Sequence, residues 1–254
     1  MIAEPYFKTR LGILYHGDAL QVLESIPNSS IDLIIADPPY FVLDTANGVD
    51  ERAKKWDYFE DEESYMSFTV KWLNLCYNVL KVRGSLFVFW SERHLFLFKQ
   101  ILDKTRFKLY KVIVWHYPNI LKGFSSKRWI NTFDFIFHLV KGDKPKVFNS
   151  SFMREENKDV WIFPKPQSNY KKDRLLHPTQ KPYELIERLV KMFSNEGETV
   201  LDPFMGSGTT ALVCERLNRK WIGIEINEDY CKIIVDRIEP YLGQGRLIGL
   251  GGFA

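Results

Sequence analysis

The sequence predicts an α/β fold in which helices cover both faces of a doubly wound, mostly parallel sheet. Short apolar runs rich in β-branched residues, such as Ile31–Ile35, are typical of strands that are buried on both faces. Segments with apolar residues at three-and-four spacing separate these runs and predict amphipathic helices. Several runs end in a carboxylate, at the sheet edge where open α/β sheets bind ligands. A chain of 254 residues suits one such domain with an insertion.

The first 40 residues predict a β-α-β unit with an acid at the end of each strand. Ile13–Asp18 is the first strand, Ala19–Ile26 a short amphipathic helix, and the second strand stops at Asp37-Pro38-Pro39-Tyr40. The prolines fix φ and carry no N–H, so the carbonyls of Asp37 and Pro38 point outward as rigid acceptors. With the Tyr40 ring, this tetrad suits a planar group that bears an amine. A strand-end turn with a helix-capping Asp is the alternative.

The middle of the chain predicts a loop followed by alternating helices and strands. Residues 44–60 are polar without apolar periodicity, which predicts a mobile loop over the site. The predicted elements that follow are a helix from Ser64 to Arg83-Gly84, a strand at Ser85–Trp90, a helix at Leu95–Leu102, and strands at Lys111–Trp115 and Phe133–His138. The last two strands flank a basic loop.

A glycine-bearing turn follows a strand near the C-terminal end of the chain. The strand Thr199–Asp202 runs into a turn containing Gly206 and Gly208, and a helix starts at Thr209. Glycines there allow a ligand to approach the backbone at a helix N-terminus, but neither the phosphate-loop nor the dinucleotide pattern is present. The next strand ends at Glu225, a spacing that suits a carboxylate accepting ribose hydroxyls. A nucleoside without a pyrophosphate is the predicted ligand.

Positive charge is concentrated in one fifth of the chain. Between Lys122 and Arg174 there are twelve Lys and Arg against six Asp and Glu, with aromatic residues interleaved, whereas the whole chain has a net charge of +3. This composition suits a phosphate backbone with bases beside it. Residues 141–176 lose periodicity and predict an inserted target-recognition segment within a single domain spanning 1–242. The glycine-rich tail 243–254 is predicted to be loosely ordered.

The cysteines and the hydropathy exclude several classes of protein. Cys76, Cys214 and Cys231 are far apart within apolar helical patterns, which indicates buried thiols instead of a metal cluster or disulfide framework. No apolar run approaches the roughly 18 residues of a membrane span, and no signal-peptide pattern occurs. The expectation is a cytoplasmic protein without metal or membrane association.

Three motifs together carry a resemblance to a known family. Asp37-Pro38-Pro39-Tyr40, then His177-Pro178-Thr179-Gln180-Lys181-Pro182, then the run from Asp202 to Thr210 occur in that order. This arrangement resembles the S-adenosylmethionine-dependent DNA amino-methyltransferases of the beta group, common in restriction–modification systems. The resemblance spans roughly residues 12–241 and implies a circularly permuted, Rossmann-like methyltransferase sheet whose termini lie close together.

The resemblance assigns roles to particular residues. It implies that Asp37, Pro38, Pro39 and Tyr40 are catalytic, with Asp37 and the Pro38 carbonyl each accepting one amine hydrogen and Tyr40 stacking on a flipped-out base. The implied donor site comprises Asp18 for the adenine amine, Asp37, Thr179, Lys181, Asp202, Pro203, Phe204, Gly206, Ser207, Gly208, Thr209 and, for the ribose hydroxyls, Glu225. The sequence departs from the family at Tyr117, where relatives often have Lys, and at Asp134, where they often have Glu.

The resemblance favours adenine N6 as the target, because relatives with Asp at the first position of the tetrad mostly modify adenine. Cytosine N4 is the alternative, followed by an RNA or protein-amide methyltransferase and, from another class, a non-catalytic DNA-binding module. Candidate DNA-phosphate contacts are Lys127, Arg128, Lys171 and Lys172, for which a solvated face is the competing interpretation. The implied partners are double-stranded DNA in the nucleoid, a second copy of the chain and a cognate restriction endonuclease.

Overall fold

A sheet with helices on both faces organises the computed structural model, which describes residues 4–41, 59–119, 129–152, 158–166 and 180–242. Its strands are β1 (Phe7–Lys8), β2 (Gly12–His16), β3 (Ile31–Ala36), β4 (Leu80–Trp90), β5 (Lys108–His116), β6 (Phe133–Val140), β7 (Val160–Ile162), β8 (Thr199–Asp202) and β9 (Lys220–Glu225). Its helices are α1 (Ala19–Ser25), α2 (Glu62–Val79), α3 (Leu95–Asp103), α4 (Tyr183–Phe193), α5 (Thr209–Arg216) and α6 (Glu228–Ile238), with 3-10 turns at Glu92–His94, Ser150–Phe152 and Glu239–Tyr241.

The order of the strands confirms the doubly wound sheet. Within the described residues the order is β1-β2-β9-β8-β3-β4-β6-β5-β7. The central strands β2, β9, β8, β3 and β4 are mutually parallel, and only β1 and β6 pair antiparallel with their neighbours. The last two strands of the chain therefore lie in the middle of the sheet, and α6 packs near β2. This is the arrangement that a circular permutation requires.

Strand β3 is the buried parallel strand that the sequence predicts. All six of its residues are buried, and it pairs with β4 on one side and β8 on the other. Leu33 and Ile35 pack on one face, with α4, α5 and α6, while Ile34 and Ala36 pack on the other, with α1, α2 and α3. The strand is apolar throughout because both faces are covered.

Helix α2 and strands β4 and β7 differ from the sequence-based prediction. Helix α2 begins at a capping box between Asp61 and Ser64, but it ends at Val79, and β4 begins at Leu80. The residues before Ser85 form an irregular extension in which Arg83 has a φ of +63°. The inserted segment also contributes β7, which pairs parallel with β5. Three residues are too few to show a strand period, so the sequence does not reveal it.

Three further sequence-based predictions concern the cysteines, membrane-spanning helices and the two segments expected to be loosely ordered. The three cysteines are buried free thiols, as predicted. Among the described residues no helix is both long and apolar enough to cross a membrane. The predicted mobile loop, apart from residues 59 and 60, and the glycine-rich tail lie outside the described residues.

Candidate active site

Four acidic residues lie at one edge of the sheet. Asp18, Glu225, Asp202 and Asp37 come at or just after the carboxyl ends of β2, β9, β8 and β3, which are neighbours in that order. The strand order reverses between β8 and β3, because the chain continues from β8 to β9 on one side and from β3 to β4 on the other. Such a switch point leaves a crevice where α/β proteins bind ligands.

The Asp37–Tyr40 tetrad is held by hydrogen bonds from elsewhere in the chain. The Tyr40 hydroxyl donates to Asp37 Oδ1 at 2.6 Å, and burial together with the Asp37 charge holds the pKa of Tyr40 well above its usual range. The Tyr65 hydroxyl of α2 donates to the Pro39 carbonyl at 3.0 Å. The Pro38 carbonyl has no hydrogen-bond partner among the described residues. One carboxylate and one free carbonyl are thus available to a ligand.

Lys181 joins the middle motif to both of the others. Its Nζ pairs with Asp37 Oδ2, and it lies 5.5 Å from the centroid of the Tyr40 ring and 5.1 Å from that of Phe89. Its backbone carbonyl accepts a long hydrogen bond of 3.5 Å from Thr209 Oγ1, at the start of α5. The amine-receiving tetrad and the glycine turn therefore meet at this residue.

The carboxylates beside the glycine turn are buried and hydrogen-bonded. Thr210 Oγ1 donates to Asp202 Oδ2 at 2.6 Å, and the Phe204 N–H donates to Oδ1 at 3.1 Å. Glu225 accepts from the Gly206 N–H at 2.7 Å and from the Asn227 N–H at 2.9 Å. Burial raises the pKa of Asp202 and that of Glu225 each to about 7, although these hydrogen bonds oppose the shift.

The turn itself requires glycine at two positions. Gly206 and Gly208 have φ values of +55° and +79°, in the left-handed region. A Cβ on Gly208 would also lie 2.9 Å from Ile234 Cγ1 of α6. The Ser207 carbonyl accepts a hydrogen bond from Arg237, also on α6, so this helix fixes the shape of the turn.

Two further predicted donor-site residues have defined packing. Phe204 makes an edge contact with Trp72 of α2, with ring centroids 5.4 Å apart, next to the buried Pro203. Asp18 Oδ1 caps α1 by accepting from the Leu20 and Gln21 N–H groups at 2.9 and 3.2 Å. Its Oδ2 accepts no hydrogen bond within the part of the chain that the structure describes. Capping of α1 through one carboxylate oxygen and an acceptor role for the other are therefore compatible at Asp18.

A second ion pair, between the buried Asp134 and the partly exposed Lys165, lies beside the tetrad. The sequence-based site does not include Lys165. Lys165 Nζ is 3.3 Å from Asp134 Oδ2 and 3.7 Å from the centroid of the Tyr117 ring. Asp134 is close enough to Asp37 and Lys181 for these charges to affect its pKa. Only the basic and aromatic composition of the insertion hinted at Lys165, since one lysine among many carries no local signature.

Several predicted site residues lie outside the described residues. They are Thr179, Lys127, Arg128, Lys171 and Lys172, and their roles stay predictions. In the described ranges, no group of three or more His, Cys, Asp or Glu side chains could hold a metal ion.

The donor set fits a nucleoside-bearing sulfonium cofactor. Carboxylates at the ends of neighbouring strands suit ribose hydroxyls and an adenine amine, and the positive-φ glycines leave the backbone open to close approach. The adjacent Asp37–Tyr40 tetrad offers acceptors to an amine. Fold and site together define a Rossmann-like methyltransferase that acts on an amine.

The comparisons with known proteins identify the family. Residues 31–236 match the DNA methylase family N6_N4_Mtase, and the chain belongs to it. The chain is 33% identical to the type II methyltransferase M2.LlaDCHI of Lactococcus lactis subsp. cremoris over 98% of this chain and 96% of that protein. The family assignment confirms the expected class, a DNA amino-methyltransferase of the restriction–modification type that uses S-adenosylmethionine.

Solved structures show the same fold. The cytosine-N4-specific PvuII DNA methyltransferase superposes with a TM-score of 0.78 at 23% identity, covering 92% of this chain and 89% of that one. The complex of M1.HpyAVI with S-adenosylmethionine gives a TM-score of 0.67 at 25% identity, covering 90% and 100%. These similarities agree with the permuted, doubly wound sheet.

Proposed function

We propose that the chain methylates N6 of adenine within a specific short sequence of double-stranded DNA. The observation that carries this proposal is the receptor formed by Asp37, the unpartnered Pro38 carbonyl and Tyr40, beside the glycine turn. An exocyclic amine has two hydrogens, and the receptor has two acceptors. The resemblance favours adenine over cytosine, because relatives with Asp as the first residue of the tetrad mostly modify adenine.

The donor-binding residues would be Asp18, Asp202, Glu225 and the turn from Phe204 to Thr209. When bound, S-adenosylmethionine supplies an electrophilic methyl group on a sulfonium. Glu225, fixed by the Gly206 and Asn227 N–H groups, has lone pairs left for ribose hydroxyls. Asp202 accepts one hydrogen bond on each oxygen, from Thr210 and Phe204, and it would line the donor site mainly by holding the turn.

The tetrad would orient the attacking nitrogen. Asp37 and the Pro38 carbonyl each accept one amine hydrogen, which directs the nitrogen lone pair at the methyl group. Positioning and electrostatics supply most of the rate in this proposal. The nitrogen gains positive charge as the new C–N bond forms, and Asp37 both stabilises that charge and is the nearest base for the proton that must leave.

The base must leave the duplex to reach such a crevice, which costs a few kcal/mol. Tyr40, which is partly exposed, would stack on the flipped base. We assign DNA-phosphate contacts to Lys127, Arg128, Lys171 and Lys172 in the basic stretch. A homodimer, a cognate restriction endonuclease and a cytoplasmic, nucleoid-associated location complete the proposal.

Methylation of cytosine N4 is the second candidate, and it would use the same two acceptors on the cytosine amine. The PvuII structure, at 23% identity, supports the shared fold and does not decide between the bases.

Transfer of a labelled methyl group to DNA, followed by sequencing of modified genomic DNA, tests the proposal. We expect N6-methyladenine at one short sequence, and we expect Asp37→Ala to abolish transfer while S-adenosylmethionine still binds by calorimetry. Asp103→Ala, a substitution in an exposed ion pair on α3, is the matched control. N4-methylcytosine as the product, or modification of RNA alone, would contradict the proposal.

A further inference from the structure

Three strands bring a second set of polar residues to the edge that carries Asp37. Strand β6 is antiparallel to β4 and β5, so its first residues lie beside their last ones, and Asp134 is opposite Trp115. Strand β7 is parallel to β5, so Lys165, three residues after its end, comes to the same edge. The inserted segment therefore contributes a side chain directly beside the tetrad.

Asn119 fixes the backbone of Lys165, and two aromatic rings lie beside its ammonium group. Its backbone N–H donates to Asn119 Oδ1 at 2.9 Å, and its carbonyl accepts from Asn119 Nδ2 at 2.7 Å. Its ammonium lies 3.7 Å from the Tyr117 ring centroid and 5.5 Å from that of Trp115. Lys181, which pairs with Asp37, lies 6.0 Å from the same Trp115 ring. The ammonium groups of Lys165 and Lys181 therefore both lie near the Trp115 ring.

The Asp134–Lys165 pair is only partly buried, and its geometry is imperfect. The Asp134 side chain is 8% exposed and that of Lys165 is 35% exposed, at a separation of 3.3 Å that is long for a charge-assisted hydrogen bond. Burial raises the pKa of Asp134 and lowers that of Lys165, so both groups are harder to ionise than in water. A buried pair with imperfect geometry is weak evidence for a stabilising role. A partly open ammonium is instead available to a ligand.

The chemistry of the target defines what that ligand group is. Of the two ring atoms bonded to the amine-bearing carbon, one is a nitrogen acceptor, N1 in adenine and N3 in cytosine, on the Watson–Crick edge through which a flipped base is read. Asp37 and the Pro38 carbonyl would accept the two amine hydrogens. The ring nitrogen beside the amine therefore needs a hydrogen-bond donor from a residue next to the tetrad. Lys165 is a partly exposed donor beside the tetrad, next to the same Trp115 ring as Lys181.

We propose that Lys165 is a specificity-determining residue whose ammonium donates to the ring nitrogen beside the target amine, with Asp134 and Asn119 as positioning residues. This inference deepens the proposed function and rests on it. It assigns to the inserted segment a direct contact with the target base, separate from contacts with neighbouring bases or phosphates.

Atomic replacement in the substrate tests the inference. Duplexes carry adenine or 1-deazaadenine at the target position, each opposite an abasic site so that base extrusion costs are equal. We expect the intact protein to methylate 1-deazaadenine with kcat/KM about 10- to 100-fold lower, the range for a lost hydrogen bond to a charged group. Lys165→Met should lower the adenine value by a similar factor and remove the discrimination between the two bases.

Two variants separate this contact from a structural role. Lys111→Met removes a lysine that pairs with Asp159 in the same insertion and should keep full discrimination. The double variant Asp134→Asn, Lys165→Met leaves no unpaired buried charge, so it should fold. It should also methylate adenine and 1-deazaadenine with equal kcat/KM, as Lys165→Met does. Equal rates on both bases for the intact protein, or discrimination that survives Lys165→Met, would overturn the inference. If the intact protein modifies cytosine instead, the proposed adenine specificity fails. The role of Lys165 is then tested by comparing kcat/KM on cytosine and on 3-deazacytosine at the target position.

Discussion

Breaking the ion pair between Lys181 and Asp37 from one side should destabilise the fold by several kcal/mol, and this is the most direct test of how the site is built. The two side chains are 9% and 22% exposed, so neither is solvated like a surface residue. Breaking a buried pair from one side leaves an uncompensated charge, at a cost of about 3–5 kcal/mol. Because water still reaches Asp37, we expect Lys181→Met to cost about 2–4 kcal/mol.

A loss of this size is readily measured by thermal unfolding. For a chain of this length each kcal/mol lowers the melting temperature by about 2–4 °C, so Lys181→Met should lower it by roughly 4–16 °C. The double variant Asp37→Asn, Lys181→Met leaves no unpaired charge. We expect it to recover at least about 1.5 kcal/mol relative to the sum of the single variants, as interacting residues do.

The exposed pair Lys99–Asp103 on α3 is the matched control. Its side chains are 69% and 62% exposed, and removing both should change stability by no more than about 0.5 kcal/mol. Additivity within about 0.5 kcal/mol at Asp37 and Lys181 would refute the buried-pair reasoning, since it would place the two charges in solvent or apart.

Three further outcomes test other parts of the site. Gly206→Val should abolish S-adenosylmethionine binding in calorimetry, because valine is strained at a φ of +55°; Gly197→Val, which carries equal backbone strain in open space, should bind normally, and equal losses would contradict the assignment. Donor affinity should rise by up to tenfold per pH unit up to about pH 7 and then level off, because burial raises the pKa of Glu225 to about 7 and its charged form accepts the ribose hydroxyls; an unchanged profile in Glu225→Gln would assign the titration elsewhere. Tyr65→Phe, which frees the Pro39 carbonyl, should lower kcat about tenfold without changing donor affinity, and an unchanged kcat would remove Tyr65 from the positioning of the tetrad.

The sequence predicted the features that depend on local chain properties. Strand β3 was recognisable because a strand covered on both faces is apolar throughout, and Asp37 and Glu225 were recognisable because each directly ends such a strand. Gly206 and Gly208 were singled out because few other residues adopt their backbone conformation.

The features that sequence reasoning missed are tertiary. Lys181 pairs with the carboxylate of Asp37, 144 positions away in the chain. Lys165 belongs to the inserted segment, which has no periodicity, and it is positioned by hydrogen bonds to Asn119. The early start of β4 was hidden because Arg83 and Gly84 look like a helix end, whereas pairing of Leu80 with Ile31 extends the strand. Helix and strand propensities do not encode such pairings.

The sheet itself explains why the two pockets face each other. Ile34 lies opposite Leu201 on neighbouring parallel strands, so Asp37 and Phe204 are each three residues beyond the same pair. Parallel strands are about 4.8 Å apart, and reacting atoms must approach to about 3–3.5 Å. The helices that follow these strands lie on opposite faces of the sheet, α2 after β3 and α5 after β8. The crevice between the two loops is thus set by adjacency in the sheet, and it is independent of which motif comes first in the chain.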